Sequence, residues 1–251
     1  RDSTYTTMST GEKKEQTERQ LEQQVVVTVP SMCETLEEAV DLVHTNDHLT
    51  TIVVSNGNHQ IDGDYLYIPS AMNIVGEGEK KNIVIQGGIC FKRDIGKCTL
   101  ENFVINNPKY TPKYTAKMIG VIGRSSFAIN NVIVQYFWKG VECIGGKSGL
   151  LQETGLAQAI CTKMTVQHCK CGVSVINGGY INLTKTNVYN NNIGLNGYSL
   201  FIDARETRFK NNRRNFLNTV NVTSTVKSNK RKRNAAETAK LKRQRDRSEQ
   251  E

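Results

Sequence analysis

Four stretches of the chain repeat one pattern of apolar and small residues at similar intervals. They cover residues 127–136, 159–168, 181–190 and 202–211, and successive stretches begin 32, 22 and 21 residues apart. A fifth stretch, 98–107, fits the same pattern 29 residues before the first. Similarity at a period of about 20–25 residues is typical of a solenoid, in which each repeat forms one coil and stacked coils bury a shared core.

The repeated pattern predicts which side chains stack on one another. Alternate residues of a strand point inward, so equivalent apolar positions of successive coils should form columns along the solenoid. A further position falls at a coil corner, where asparagine side chains can hydrogen-bond along the stack. The predicted inward columns are Ile129, Cys161, Leu183 and Ala204, and Val134, Val166, Val188 and Phe209; the predicted corner column is Tyr136, His168, Asn190 and Asn211.

The sequence before the repeats predicts a cap for the solenoid. β-Branched residues at 24–29 indicate a strand, and Ser31 with Glu34 three residues later has the spacing of a capping box at a helix start. An open solenoid end exposes unpaired backbone groups and apolar side chains, which an amphipathic helix would cover. The apolar face of the predicted helix comprises Leu36, Ala39, Val40 and Val43.

Composition divides the chain into three parts. Residues 1–24 form a polar leader and residues 227–251 a basic tail, and both are predicted to be disordered because they contain too few apolar residues to bury. Residues 25–226 form the solenoid domain. Two insertions, at 108–114 and 145–155, are expected to project from it, and such insertions often form binding faces.

Three features occur together in the solenoid region. A helix pattern at 35–41 precedes a strand and a glycine turn, a second strand ending in glycines spans 72–78, and coils end in Asn-Asn or in a glycine followed by an apolar residue. Over about residues 31–217 this combination resembles the pectin-lyase-like superfamily. The resemblance implies an all-β, right-handed parallel β-helix with a short N-terminal capping helix. It implies no single function, because that superfamily includes polysaccharide lyases, hydrolases, phage tailspikes and non-enzymatic binding proteins.

Cysteine usage and hydropathy bear on the cellular environment. The seven cysteines are an odd number scattered through predicted strands, which favours reduced, buried thiols in an intracellular protein over extracellular disulfides. No apolar run approaches the ~18 residues of a membrane span, so no membrane association is predicted.

The distribution of carboxylates argues against an active site of the superfamily type. Its lyases group acidic calcium ligands with a basic residue, and its hydrolases group aspartates on one face. The predicted register brings no two carboxylates of the coils together, so no catalytic residue, cofactor or metal is predicted. The carboxylates between residues 100 and 216 are Glu101, Glu142, Glu153, Asp203 and Glu206.

Two short motifs are too weak to indicate a site. His168, Cys169 and Cys171 include two zinc-binding residue types, but no second pair follows at zinc-finger spacing, so structural thiols in a tight corner are favoured. The segment 145–149 resembles part of a phosphate-binding loop, but the glycine that should begin that loop is replaced by Val141.

The basic tail is the main positive signal for a partner. Two clusters of lysine and arginine resemble a nuclear-import signal or an arm that contacts the phosphates of a polyanion such as nucleic acid, and a purely solubilising tail is the alternative. Aromatic residues do not interleave with them, so base stacking is not indicated. The residues concerned are Lys230, Arg231, Lys232, Arg233, Lys240, Lys242 and Arg243.

Three functional hypotheses follow. The favoured one is a non-enzymatic structural or binding protein that presents a polar solenoid face to a carbohydrate or a protein, with its tail bound to a polyanion or an import receptor. The second is a carbohydrate-active enzyme, lyase-like or hydrolase-like, with a non-standard site. The third is a subunit of a large assembly such as a viral capsid. The expected location is intracellular, either nuclear or virion-associated.

Overall fold

A computed structural model describes the central part of the chain. The predicted leader at 1–24 and the predicted tail at 227–251 lie outside the described residues, as does the insertion at 145–155 apart from Gly145. The described residues are 26–111, 117–145, 157–197, 202–218 and the backbone of 222–224.

Over the described residues the fold consists of one helix, one 3-10 turn and a long series of short strands. In chain order the elements are β1 (Val26–Val29), α1 (Leu36–Thr45), β2 (Thr51–Val54), β3 (Gly57–Ile68), β4 (Asn73–Gly76), a 3-10 turn (Lys80–Asn82), β5 (Ile83–Phe91), β6 (Cys98–Glu101), β7 (Val104–Asn106), β8 (Ile119–Gly123), β9 (Phe127–Asn130), β10 (Ile133–Gln135), β11 (Lys139–Ile144), β12 (Gln158–Thr162), β13 (Thr165–Gln167), β14 (Cys171–Ile176), β15 (Tyr180–Thr184), β16 (Asn187–Tyr189), β17 (Ile193–Gly197), β18 (Ile202–Arg205), β19 (Arg208–Lys210), β20 (Arg214–Leu217) and β21 (Val222–Ser224).

These strands form parallel sheets that wrap around a common core. The first face is a nine-stranded sheet in the order β1-β2-β4-β6-β9-β12-β15-β18-β21. The second face contains β7, β10, β13, β16 and β19, and the third contains β8, β11, β14, β17 and β20. The long strand β5 joins those two faces, since its first half pairs with β7 and its second half with β8. Every pairing is parallel, so the predicted solenoid-like architecture is confirmed.

The predicted inward columns are confirmed residue by residue. Cys161 pairs with Ile129 on one side and with Leu183 on the other, and Leu183 pairs with Ala204. On the second face the register runs from Val134 through Val166 and Val188 to Phe209. All these side chains are buried, because each coil buries its apolar side only against the coils above and below it.

The predicted corner column is also present, but its hydrogen bonding differs from the expectation. Tyr136, His168, Asn190 and Asn211 all have left-handed backbone, with φ between 54° and 64°, and each follows the last residue of a second-face strand. The asparagine ladder runs one residue further on, inside the corner. There the Asn191 Nδ2 atom donates to the Asn212 Oδ1 atom at 3.1 Å. The side chains of the corner column point outward instead and remain accessible.

The helix α1 covers the N-terminal end of the solenoid, as predicted, and contacts β1, β2 and β3. Its four predicted apolar residues are all buried. The predicted start was wrong, because Thr35 caps the helix and forms a capping box with Glu38. Ser31 lies inside a turn in which the Met32 and Cys33 amides donate to the Thr28 carbonyl, and its hydroxyl contacts that of Thr28.

All seven cysteines are free thiols, and six of them are buried, which agrees with the prediction of reduced core residues. Cys169 lies at a corner as expected, whereas Cys171 begins strand β14 instead of lying in a turn. Within the described ranges no helix is long and apolar enough to cross a membrane.

Candidate functional site

A row of carboxamide side chains runs along the outside of the second face. Successive strands place a glutamine or an asparagine at the same outward position, directly before the corner. The Gln167 Nε2 atom donates to the Gln135 Oε1 atom at 2.6 Å, so the row is partly self-paired. After Gln167 the row continues as Tyr189 and Lys210. The residues of this amide ladder are Gln60, Gln86, Asn106, Gln135 and Gln167.

Aromatic side chains lie beside the amide ladder at the corner; Tyr136 and His168 are exposed, and Tyr110 and Trp138 are half-buried. The rings of Tyr136 and His168 stack with centroids 5.2 Å apart and planes 10° from parallel. Tyr110 approaches Tyr136 with centroids at 6.4 Å. Trp138 lies two residues beyond Tyr136, and the Lys170 ammonium lies 3.4 Å from the centre of its ring. We call Tyr110, Tyr136, Trp138 and His168 the aromatic ridge.

The backbone of the corner explains why these rings face outward. Left-handed φ at Tyr136 and His168 ends each strand abruptly, and the next residue, Phe137 or Cys169, turns into the core. The chain then passes close to its neighbours at Gly140. A Cβ atom there would lie 2.4 Å from Val166 Cγ1, so only glycine permits this tight return.

Tyr110 is positioned by a separate turn at the start of the insertion predicted at 108–114. The Lys109 amide donates to the Asn107 side-chain oxygen at 3.0 Å, and the Tyr110 amide donates to the Asn107 carbonyl at 3.2 Å. Partial burial raises the pKa of Tyr110, so its hydroxyl stays protonated at neutral pH and can donate a hydrogen bond. The remainder of this insertion, residues 112–114, lies outside the described residues.

The shape of this surface limits what it can bind. A cleft of about 30 Å³ beside Gln60, Gln86 and Asn107 has room for only one or two water molecules. A ligand of the size of a sugar ring must therefore lie on the ridge and ladder and not enter a pocket. Exposed ring faces offer stacking surfaces, and carboxamides offer both donors and acceptors to hydroxyl groups.

The carboxylates of the coils are placed largely as the register predicted. The Asn130 Nδ2 atom donates to Glu101 Oε1 at 2.8 Å, and Asp203 forms an ion pair with Arg205 at 3.0 Å on the first face. Glu153 lies outside the described residues. Among the residues that the structure describes, no three histidine, cysteine or acidic side chains converge as a metal site would require.

Glu142 has an environment that the sequence did not predict. It lies on the third face, only 3% exposed, with the Lys139 ammonium and the Ser174 hydroxyl both donating to its Oε1 atom. Only its pairing with a cation makes such a buried carboxylate tolerable. Neither the burial nor the pairing with Lys139 could be anticipated, because residues three apart on a regular strand point to opposite faces.

The corner separates the histidine of the weak zinc motif from its two cysteines. The His168 ring is exposed on the ridge, whereas Cys169 and Cys171 are buried. Burial raises the pKa of each of these two thiols to about 12, so both stay protonated and are poor metal ligands at neutral pH. The seven basic residues predicted as a polyanion or import site, at 230–243, lie outside the described residues.

Comparison with known proteins gives one informative likeness. No family model and no curated protein matches this sequence. Among solved structures, the crystal structure of Escherichia coli YbhC is similar, with a TM-score of 0.53 and 15% sequence identity. The match covers 74% of this chain and 64% of that one, so this chain spans less than two thirds of the YbhC chain. At this identity the likeness concerns the fold alone.

Proposed function

We propose that this protein is a non-enzymatic, glycan-binding β-helix, and that the aromatic ridge with the amide ladder is its binding surface. The observation that carries the proposal is the pair of exposed, stacked rings of Tyr136 and His168 beside Gln135 and Gln167. Sugar rings present apolar C–H faces to aromatic side chains and hydroxyl groups to amides. A protein partner would more often require a buried apolar centre, which this polar surface does not offer.

The ligand would lie along the solenoid. Strands of adjacent coils are about 4.8 Å apart, so the ladder repeats a carboxamide at that interval, with the Asn106 Oδ1 atom buried and the Gln135 Oε1 atom occupied by Gln167. An extended oligosaccharide can follow such a row, with several residues contacting equivalent groups of successive coils. The affinity would then come from several weak contacts along the row. The cleft of about 30 Å³ is too small to act as one deep binding pocket.

We further infer that the coils wind in the right-handed sense of the pectin-lyase-like superfamily. Three features support this: parallel coils that have three strands each from β6 onward, an amphipathic helix over the N-terminal end, and an internal asparagine ladder at a corner. Right-handed connection between parallel strands is also the general rule.

The enzyme hypothesis is favoured by a single observation, the buried group of Lys139, Glu142 and Ser174. Glycoside hydrolysis generally requires two carboxylates about 5–10 Å apart, and the residues paired in register with Glu142, Ile122 and Ser174, are not acids. A screen for released saccharide products, comparing the native chain with Glu142→Gln, tests this hypothesis. Product release that is lost in the variant would replace our proposal with an enzymatic function.

The binding proposal is tested by removing the stacked rings. The double variant Tyr136→Ala, His168→Ala should lose at least about tenfold in affinity for any oligosaccharide that the native chain binds on a glycan array, as measured by calorimetry, since each stacked ring contributes on the order of 1 kcal/mol. The matched control is Tyr67→Ala, because Tyr67 is 56% exposed on the third face, away from the ridge.

The outcomes are distinct. Native affinity in the control with lost affinity in the double variant supports the proposal. Equal loss in both variants, or no glycan bound by the native chain, overturns it.

We also propose an intracellular location, nuclear or virion-associated, with the tail at 227–251 contacting a polyanion or an import receptor. The support for this is sequence composition: seven cysteines without disulfides and two clusters of basic residues. Localisation of a fluorescent fusion, compared with one in which Lys230, Arg231, Lys232 and Arg233 are changed to glutamine, tests it. Cytoplasmic distribution of both fusions would contradict nuclear import.

A further inference from the structure

The last described coil differs in charge from the coils before it. We call residues 202–218 the terminal coil; it contains β18, β19 and β20. On all three faces an uncharged residue of the preceding coil is followed, in register, by a cation. The pairs are Thr184 and Arg205 on the first face, Asn187 and Arg208 with Tyr189 and Lys210 on the second, and Ile193 and Arg214 on the third.

The net charge of the whole chain resides at this end. Residues 202–218 contain five cations and two acids, and residues 227–251 contain ten cations and four acids. The rest of the chain therefore holds eighteen cations and eighteen acids and is neutral, although the total is +9. A polyanion would be attracted to the terminal coil and the tail, and not to the body of the solenoid.

Most cations of the terminal coil are available to a ligand. Arg208, Lys210, Arg213 and Arg214 are exposed. None of these four forms an ion pair with a carboxylate of the described residues, whereas Arg205 is paired with Asp203. We call these four residues the cation group.

An open polar cleft of about 890 Å³ lies at the corner of the terminal coil, and two of the four members of the cation group line it. Lys210 and Arg213 line it, and the exposed residues Asn190, Asn192 and Asn211 lie around them. Asn212 also lines it, but its amide is used internally, donating to the Val188 carbonyl at 2.9 Å. The cleft thus combines two cations with neutral amide donors and has no carboxylate in its lining.

We propose that the cation group and this cleft bind the phosphate backbone of double-stranded nucleic acid, independently of base sequence. Three of the four cations are arginines, whose planar guanidinium groups match phosphate oxygens in a bidentate manner. The only aromatic residue in the cleft, Phe209, is 2% exposed and cannot stack on a base. Single-stranded nucleic acid therefore gains no stacking contact here. A duplex has a higher density of phosphate charge and is attracted more strongly.

A different role for the same charges is protection of the strand edges. Among the described residues, strands β19 and β20 are the last of their faces, and cations on edge strands discourage pairing with another chain. This alternative predicts self-association, and not weaker nucleic-acid binding, when the charges are removed. The two roles can therefore be separated by one set of variants.

The test uses the full chain and a fluorescent 20-base-pair duplex of mixed sequence, with binding measured by anisotropy across potassium chloride concentrations. The variant carries Arg208→Gln, Lys210→Gln, Arg213→Gln and Arg214→Gln. The control carries Lys92→Gln, Arg93→Gln, Lys97→Gln and Arg124→Gln, which removes the same charge from exposed residues elsewhere on the solenoid.

We expect the variant to bind at least about tenfold more weakly than the control near 0.1 M salt, with a slope of log K against log salt shallower by about three to four. Equal affinity and equal slope for variant and control overturn the proposal, whether or not the variant self-associates in size-exclusion chromatography. Native binding to a sulfated polysaccharide but not to the duplex also overturns it. A third chain with glutamine at 230–233 shows whether the tail alone accounts for binding, which would equally refute a role for the terminal coil.

Discussion

The two ends of the solenoid are protected in different ways. At the N-terminal end, α1 places four apolar residues over the core and directs acidic side chains, Glu37, Glu38 and Asp41, away from it. At the C-terminal end the last strands of the second and third faces are edges in the described chain, and they carry Arg208, Lys210 and Arg214. The N-terminal end is stabilised by the burial of apolar side chains under the helix. The C-terminal end is not buried, and the cations on its edge strands discourage pairing with other chains. Substitutions at the first end should therefore affect stability, and those at the second should affect association and binding.

The largest effect is expected at the buried side of α1. Leu36 is 1% exposed, so Leu36→Asp buries a carboxylate without a partner and should lower the free energy of unfolding by about 4 kcal/mol or more. Leu42, on the same helix, is 38% exposed, so Leu42→Asp should change stability by only about 0.5 kcal/mol. Urea denaturation followed by circular dichroism measures both. Similar losses in the two variants would show that the helix does not act as a cap.

An intermediate effect is expected in the asparagine ladder close to the charged end. Asn191 is 3% exposed, accepts from the Cys169 amide at 2.8 Å and donates to the Val166 carbonyl at 3.1 Å. Asn191→Ala leaves both backbone groups unpaired and should cost about 3 kcal/mol. Asn212 is half-buried at the open end, so water can replace its bonds, and Asn212→Ala should cost about 1 kcal/mol. An equal loss in both variants would mean that the terminal coil is as well protected as the interior.

The smallest effect distinguishes the observed start of the helix from the one expected from the sequence. Thr35→Ala removes the side chain that accepts from the Glu38 amide at 3.2 Å and should cost about 1 kcal/mol. Ser31→Ala should cost less than about 0.5 kcal/mol, since that hydroxyl contacts only the hydroxyl of Thr28. Thermal denaturation of both variants, side by side, gives the comparison. A greater loss at position 31 would restore the original prediction.

The parts of the fold that repeat were predictable, and the irregular parts were not. Columns such as Val134, Val166 and Val188 could be predicted because each coil repeats the same spacing. Two consecutive capping-box patterns, starting at Ser31 and at Thr35, compete for the helix start. Sequence spacing alone does not choose between them, because the choice depends on the turn that the Thr28 carbonyl closes.

Only part of the candidate site could be predicted from the sequence, because the rest depends on irregular parts of the chain. Tyr136 and His168 were assigned to one corner column, but their outward stacking was not foreseen. Gln60 and Gln86 were missed because β3 and β5 are long strands whose register with the later coils is not apparent from spacing. The burial of Glu142 depends on what lies over the third face, and no local pattern encodes that.

The glycines in the middle of β5 have a consequence for how this molecule could change in length. Gly87 and Gly88 let one continuous strand bend across two faces, so this coil lacks the sharp corner found in later coils. Repeats duplicated on the C-terminal side of β5 would lengthen the ridge and its reach along a polymer. Repeats duplicated on the other side could extend the amide ladder, which includes Gln60 of β3, but not the aromatic ridge, so the ridge can grow in one direction only.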